Sequence, residues 1–98
     1  MAHKIIVTKT VSRALGGCGL SRRGLLVMLM MLYEHLPKNV ATYRSRRAPG
    51  REDDYFVFEV ALSDNDRLHH FGFYIDDRTA SGTLFVDGLM HITDSLEP

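Results

Sequence analysis

Hydrophobic positions change period along this chain. Residues 4 to 8, Lys-Ile-Ile-Val-Thr, are short and β-branched, which predicts an opening strand. Ser12 to Leu15 suits a short helical turn, and Gly16, Gly17 and Gly19 around Cys18 then predict a bend, since each glycine weakens a helix by about 1 kcal/mol relative to Ala. Ser21 is the expected N-cap of one substantial helix, Arg22 to Leu36, stopped at Pro37. Positions 25 to 32 of that helix are all apolar, so it needs cover on several sides, from its own sheet and from a second segment or chain.

Lys38 to Arg51 is polar, basic and punctuated by Pro49 and Gly50, which predicts a loop or irregular strand. The period then falls to two. Phe56, Phe58, Val60 and Leu62 share one face of a strand over residues 55 to 62, opposite Tyr55, Val57, Glu59 and Ala61. Ser63 to Asp66 makes a turn. A second strand over residues 68 to 75 puts His69, Phe71, Phe73 and Ile75 on one side and His70 and Tyr74 on the other. After a turn from Asp76 to Gly82, a third strand covers Thr83 to Val86 and extends toward His91, and residues 94 to 98 fray or lie over the surface. Short links leave these three strands no crossover, so an antiparallel meander is expected. A first strand, one main helix and three later strands together predict an α+β single domain over residues 1 to 98, with the helix packed on one sheet face.

Size and composition agree with that picture. A chain of 98 residues, 45% hydrophobic and 24% charged, buries roughly two-thirds of its unfolded surface, enough for one core. Cys18 is the sole cysteine, which excludes an internal disulfide. The longest apolar run, Leu25 to Tyr33, is about half of a membrane span, and no signal-like stretch follows Met1. A cytoplasmic protein with no membrane partner is expected.

The formal net charge of zero conceals a strong polarity. Residues 1 to 49 carry nine Lys or Arg against Glu34 alone, whereas residues 50 to 98 carry Arg51, Arg67 and Arg78 against eleven acids. Either the basic residues share a face that attracts a polyanion, or the two halves neutralise each other across the fold. Arg44, Arg46 and Arg47 form the densest cluster, and Arg donors match phosphate oxygens, with Tyr43 beside them able to stack on a base or cover the sheet edge.

Other chemistry is sparse. Gly-Leu-Ser-Arg at 19 to 22 lacks the Lys and Ser/Thr of a phosphate loop, so no nucleotide cofactor is expected, although Ser21, Arg22 and Arg23 at a helix start offer a simple anion site. His69 and His70 point to opposite faces and cannot chelate one metal, and no metal site is expected. His91 meets one or the other only if register permits.

The order of elements resembles the RelE/ParE superfamily of small bacterial toxins. The resemblance lies in Lys4 to Thr10 as the opening strand and its exit, Leu25 through Pro37 as the second helix, His70-Phe71-Gly72-Phe73-Tyr74-Ile75-Asp76-Asp77 as a strand with its acidic turn, and His91 on the closing strand. It implies a RelE/ParE-like fold and a toxin restrained by an antitoxin peptide. It further implies either cleavage of mRNA on the ribosome or a noncatalytic role such as gyrase poisoning or partner binding. By resemblance, Glu59, His70 and His91 are candidates for proton transfer, and Arg44, Arg46 and Arg47 for phosphate binding. The sequence departs from the family where His70 replaces an expected arginine and where Ile92 follows His91. Homo-oligomers are the further expectation raised by the apolar helix.

Overall fold

A computed structural model describes residues 3–44, 55–77 and 82–95. Strand β1 (Lys4–Val7) leads into α1 (Lys9–Gly16), α2 (Arg22–Met30), a π-helical turn (Met31–His35), α3 (Leu36–Lys38) and α4 (Val40–Tyr43), followed by β2 (Tyr55–Asp64), β3 (Arg67–Asp76) and β4 (Thr83–Ser95). The α+β expectation and the β2–β3–β4 antiparallel meander hold. The first strand adds a fourth member, running parallel to β4 at the edge in the order β1-β4-β3-β2.

Several boundaries differ from those read in the sequence. The first helix spans eight residues because Thr8 caps it, accepting a hydrogen bond from the Val11 N–H at 3.4 Å. The main helix does not stop at Pro37. That proline has no N–H for the Tyr33 carbonyl, and the chain widens into a π turn in which the Leu36 N–H reaches back to the Met31 carbonyl. Val40–Tyr43, expected in a loop, is helical, while residues 45 to 51 of that loop lie outside the described residues. Strand β4 continues to Ser95, so Asp94 is in the sheet rather than in a loose end.

One core joins the layers. Val11, Leu15, Met28, Leu32, Leu36 and Val40 from the helices meet Phe56, Phe58, Phe71, Phe73, Ile75, Leu84 and Val86 from the inner sheet face. Tyr43 closes it at the side, its ring edge-on to Phe58 at 4.7 Å and its hydroxyl 3.1 Å from His35 Nε2, so it covers the sheet. Met28 and Leu32 are fully buried, but Leu26, Met30 and Tyr33 are 59%, 50% and 49% exposed, recurring at helical spacing along one stripe. Among the described residues the apolar run is therefore covered only in part.

Asp64 fastens the main helix to the sheet. Its carboxylate accepts from the Ser21 N–H at 2.7 Å and the Ser21 hydroxyl at 2.6 Å, while the Ser21 Oγ accepts from the Gly24 N–H at 3.0 Å. Gly24 is required by this approach, since a Cβ there would lie 2.7 to 2.9 Å from the Asp64 carboxylate atoms. Asn65 and Asp66, both at positive φ, close the β2–β3 hairpin immediately after.

Two stability outcomes follow. Phe58→Ala and Phe73→Ala should each cost about 3–5 kcal/mol in urea unfolding, because both rings are fully buried; losses under about 1 kcal/mol at both would place them outside the core. Gly24→Ala should destabilise, against its better helix propensity, but gain up to about 1 kcal/mol when Asp64 is also Ala. A gain in the wild-type background would show that no clash exists.

Candidate functional site

Strand β4 carries a bulge that decides which face its second half presents. Ile75 pairs with Val86 and Tyr74 with Gly88, leaving Asp87 as the extra residue. Gly88 accommodates the crossing, since a Cβ there would lie 2.8 Å from the Tyr74 ring, and Asp87 accepts from the Tyr55 hydroxyl at 2.6 Å. Beyond the bulge the alternation is inverted: Leu89, opposite Phe73, packs against the core, and His91, opposite Phe71, lies on the same inner face. An unbulged strand would have turned His91 to the outer face beside His70.

The register therefore brings His91 to His69. His69 Nδ1 lies 2.9 Å from His91 Nε2, and the rings are nearly parallel at 5.2 Å. His91 also stacks on Phe71 at 4.7 Å. His69 is 1% exposed, and its Nε2 lies 3.3 Å from the Asp64 backbone carbonyl. His91 Nδ1 is the one nitrogen of the two rings that is neither hydrogen-bonded among the described residues nor buried. Burial first, and the neighbouring His69 second, hold His91 below the ordinary histidine value.

The other sequence candidates lie elsewhere. Glu59 and His70 share the outer face across β2 and β3 and line one shallow depression of about 290 Å³, with His70 Nε2 3.8 Å from Asp94 Oδ2. His91 does not join them, so the proton-transfer trio does not converge. Arg44 is engaged by Asp77 through two contacts of 2.6 and 3.1 Å, at the end of β3 opposite to His69. Arg46 and Arg47 lie outside the described residues. At Ser21 the Asp64 carboxylate already occupies the helix start, so the expected anion site is filled from within the chain. That carboxyl is held below its ordinary value first by the Ser21 hydroxyl and then by the Ser21 N–H. Burial raises the Cys18 thiol, whose Sγ donates to the Ala14 carbonyl at 3.1 Å. Among the described residues no group of three His, Cys, Asp or Glu is placed to hold a metal, and no helix is long and apolar enough to cross a membrane.

Charge follows the layers. Lys4, Lys9, Arg13, Arg22, Arg23, Lys38 and Arg44 are all exposed on β1 and the helices, where Glu34 is the only described acid. Among the described residues, strands β2 to β4 and their turns carry Arg67 against Glu59, Asp64, Asp66, Asp76, Asp77, Asp87 and Asp94. Lys9 and Arg13 sit one turn apart on α1, which packs on β4, the strand of His91. Sequence reasoning left His69 and His70 both open as partners of His91 but did not count His69 among the candidate site residues, because it falls on the apolar side of its strand; a polar residue at a core-phase position was the available signal.

No protein-family model, curated protein or solved structure matches the chain.

The lowered proton affinity of His91 has a stability signature. The unfolded chain takes up this proton at the ordinary value of 6.5, whereas the folded chain does so at lower pH. Stability present above 6.5 is therefore lost as pH falls from 6.5 to the folded value, then levels off. His91→Phe, which keeps a ring on Phe71, should flatten that part of a urea-unfolding profile. An unchanged slope would assign the effect to another group.

Proposed function

We propose that this protein is a RelE/ParE-like toxin that cleaves RNA, with His91 as its proton-transfer group. The observation that carries the reading is the open nitrogen of His91, in a ring held at 2.9 Å by a buried histidine on the sheet face that meets the basic helical layer. The order of strand, helices and three-strand meander, on which the resemblance rests, supports it as well. A neutral imidazole suits the removal of a proton from a ribose 2′-hydroxyl. As the 2′-oxygen attacks the adjacent phosphorus, its proton passes to His91, the bond from phosphorus to the 5′-oxygen breaks, and the departing oxygen takes a proton from water.

Phosphate attraction falls to exposed Lys9 and Arg13 rather than to Arg44, which Asp77 already engages. The outer face suits a polyanion poorly, because Glu59 and Asp94 flank His70 there. Replacing Lys9 and Arg13 by Gln should weaken RNA binding and reduce its salt dependence, by about 0.7 in log–log slope for each single-strand phosphate that is no longer neutralised. His91→Ala should abolish cleavage and leave binding intact. The assay compares free RNA with mRNA on ribosomes, since the resemblance points to the ribosome-bound substrate. Binding without cleavage of either substrate by the wild-type chain would reject the enzymatic reading.

The exposed stripe of Leu26, Met30 and Tyr33 favours a second reading, a noncatalytic chain that associates with itself or with a partner such as an antitoxin peptide. Light scattering over a wide concentration range should give a mass above 11.1 kDa that Met30→Asp lowers. A constant monomer mass would exclude self-association through this helix.

A further inference from the structure

We propose that His69 is a positioning residue that fixes the tautomer of His91 through a one-way hydrogen-bond relay beginning at the Asp64 backbone carbonyl. The direction follows from what each atom can do. The carbonyl only accepts, so His69 Nε2, 3.3 Å away, carries the proton and donates. A neutral His69 then has a bare Nδ1, which accepts from His91 Nε2–H at 2.9 Å. His91 Nδ1 is left without a proton, and it is the nitrogen that reaches solvent.

The reverse order is disfavoured by burial. With the proton on His69 Nδ1, a lone pair on Nε2 would face the lone pairs of the Asp64 carbonyl in a site 1% exposed, where water has no access to relieve it. The ring planes of His69, His91 and Phe71 lie within 10 to 22° of each other, with His91 stacked on Phe71 at 4.7 Å and side by side with His69 at 5.2 Å, so turning either imidazole would break the bond between them. When His91 Nδ1 takes up a proton, the charge sits on the partly exposed ring, and its Nε2–H remains bonded to His69. No proton has to cross to the buried ring, and none leaves the relay.

Tautomer fixation stands on this geometry alone; its use as a base rests on the RNA-cleaving reading above. Two variants separate the roles. His69→Gln keeps both bonds, with the amide NH₂ donating to the Asp64 carbonyl and the amide oxygen accepting from His91. His69→Phe keeps an aromatic ring at that position and removes the acceptor.

Long-range ¹H–¹⁵N NMR on the full labelled chain, at a pH where both rings are neutral, reads each tautomer directly. In the wild type, both histidines should be protonated on Nε2, with bare Nδ1 atoms. His91 should stay so in the Gln variant and become a tautomer mixture in the Phe variant. A wild-type His91 protonated on Nδ1, or already mixed, overturns the relay, and so does a pure Nε2–H His91 in the Phe variant. Should the Phe variant fail to fold, the wild-type and Gln spectra still decide. In cleavage, the Phe variant should lose about 10- to 100-fold in kcat with KM little changed, and the Gln variant should recover most of it. A confirmed tautomer with unchanged kcat would overturn the positioning role. A wild type that cleaves nothing would overturn the RNA reading, while the spectra judge the relay independently.

Discussion

Asp64 is the residue on which the arrangement of layers and the histidine pair both depend. Its carboxylate takes two hydrogen bonds from Ser21, 43 positions earlier in the chain, and sets the amino end of α2 against the tip of the β2–β3 hairpin. Its backbone carbonyl faces His69 Nε2. One residue at the end of one strand thus fixes where the helical layer begins on the sheet and which way a buried imidazole is oriented. The close approach is possible because Gly24 presents no side chain to it. Negative charge at a helix amino end is also favoured by the macrodipole, so the pairing is electrostatically consistent as well as geometrically tight.

The two-layer architecture converts a polarity along the sequence into a polarity in space. Among the described residues, cations in the first half of the chain are carried by β1 and the helices, and acids in the second half by the strands and their turns. Arg44 and Asp77 are a contact in which the halves neutralise each other directly. It is an exposed pair, worth about 0 to 1 kcal/mol. Lys4, Lys9, Arg13, Arg22, Arg23 and Lys38 are exposed as well, so the described part of the helical layer is predominantly basic although the whole chain has no net charge. The proposed use of His91 on an anionic substrate rests on that layer, whereas Glu59 and Asp94 lie near His70 on the outer face.

The large apolar side chains at every second position, Phe56, Phe58, Val60 and Leu62, repeated in Phe71, Phe73 and Ile75 beside His69, made the meander and its inner face legible in the sequence. A period of two reports side-chain direction directly. Ser21 as an N-cap was legible for a similar reason, since the rule is local. What was not legible depends on distant parts of the chain. The parallel placement of β1, the seating of Asp64 on α2 and the extra residue at Asp87 are settled by tertiary packing. The bulge had the largest consequence, because one inserted residue moved His91 from the company of Glu59 and His70 to that of His69. Pro37 misled in the opposite sense: it is a helix breaker by rule, yet a π turn absorbed its missing donor.

Sequence pattern and packing agree through most of the core and disagree at His69. Its neighbours across the strands are Leu62 and Thr93, its own ring is as buried as Phe71, and an apolar side chain would satisfy the alternation without any polar atom to accommodate. An imidazole there has two nitrogens that must both be paired, and the fold supplies two partners from different strands, a carbonyl and a second histidine. Stability alone gives no reason for this choice, since removing a buried polar pair in favour of well-packed apolar groups is often neutral or favourable. The pair does secure a His91 ring that is held by the bond to His69 and the stack on Phe71 and whose neutral form is favoured by burial. Where a local rule is broken and every resulting cost is individually met, function is the better explanation for the exception.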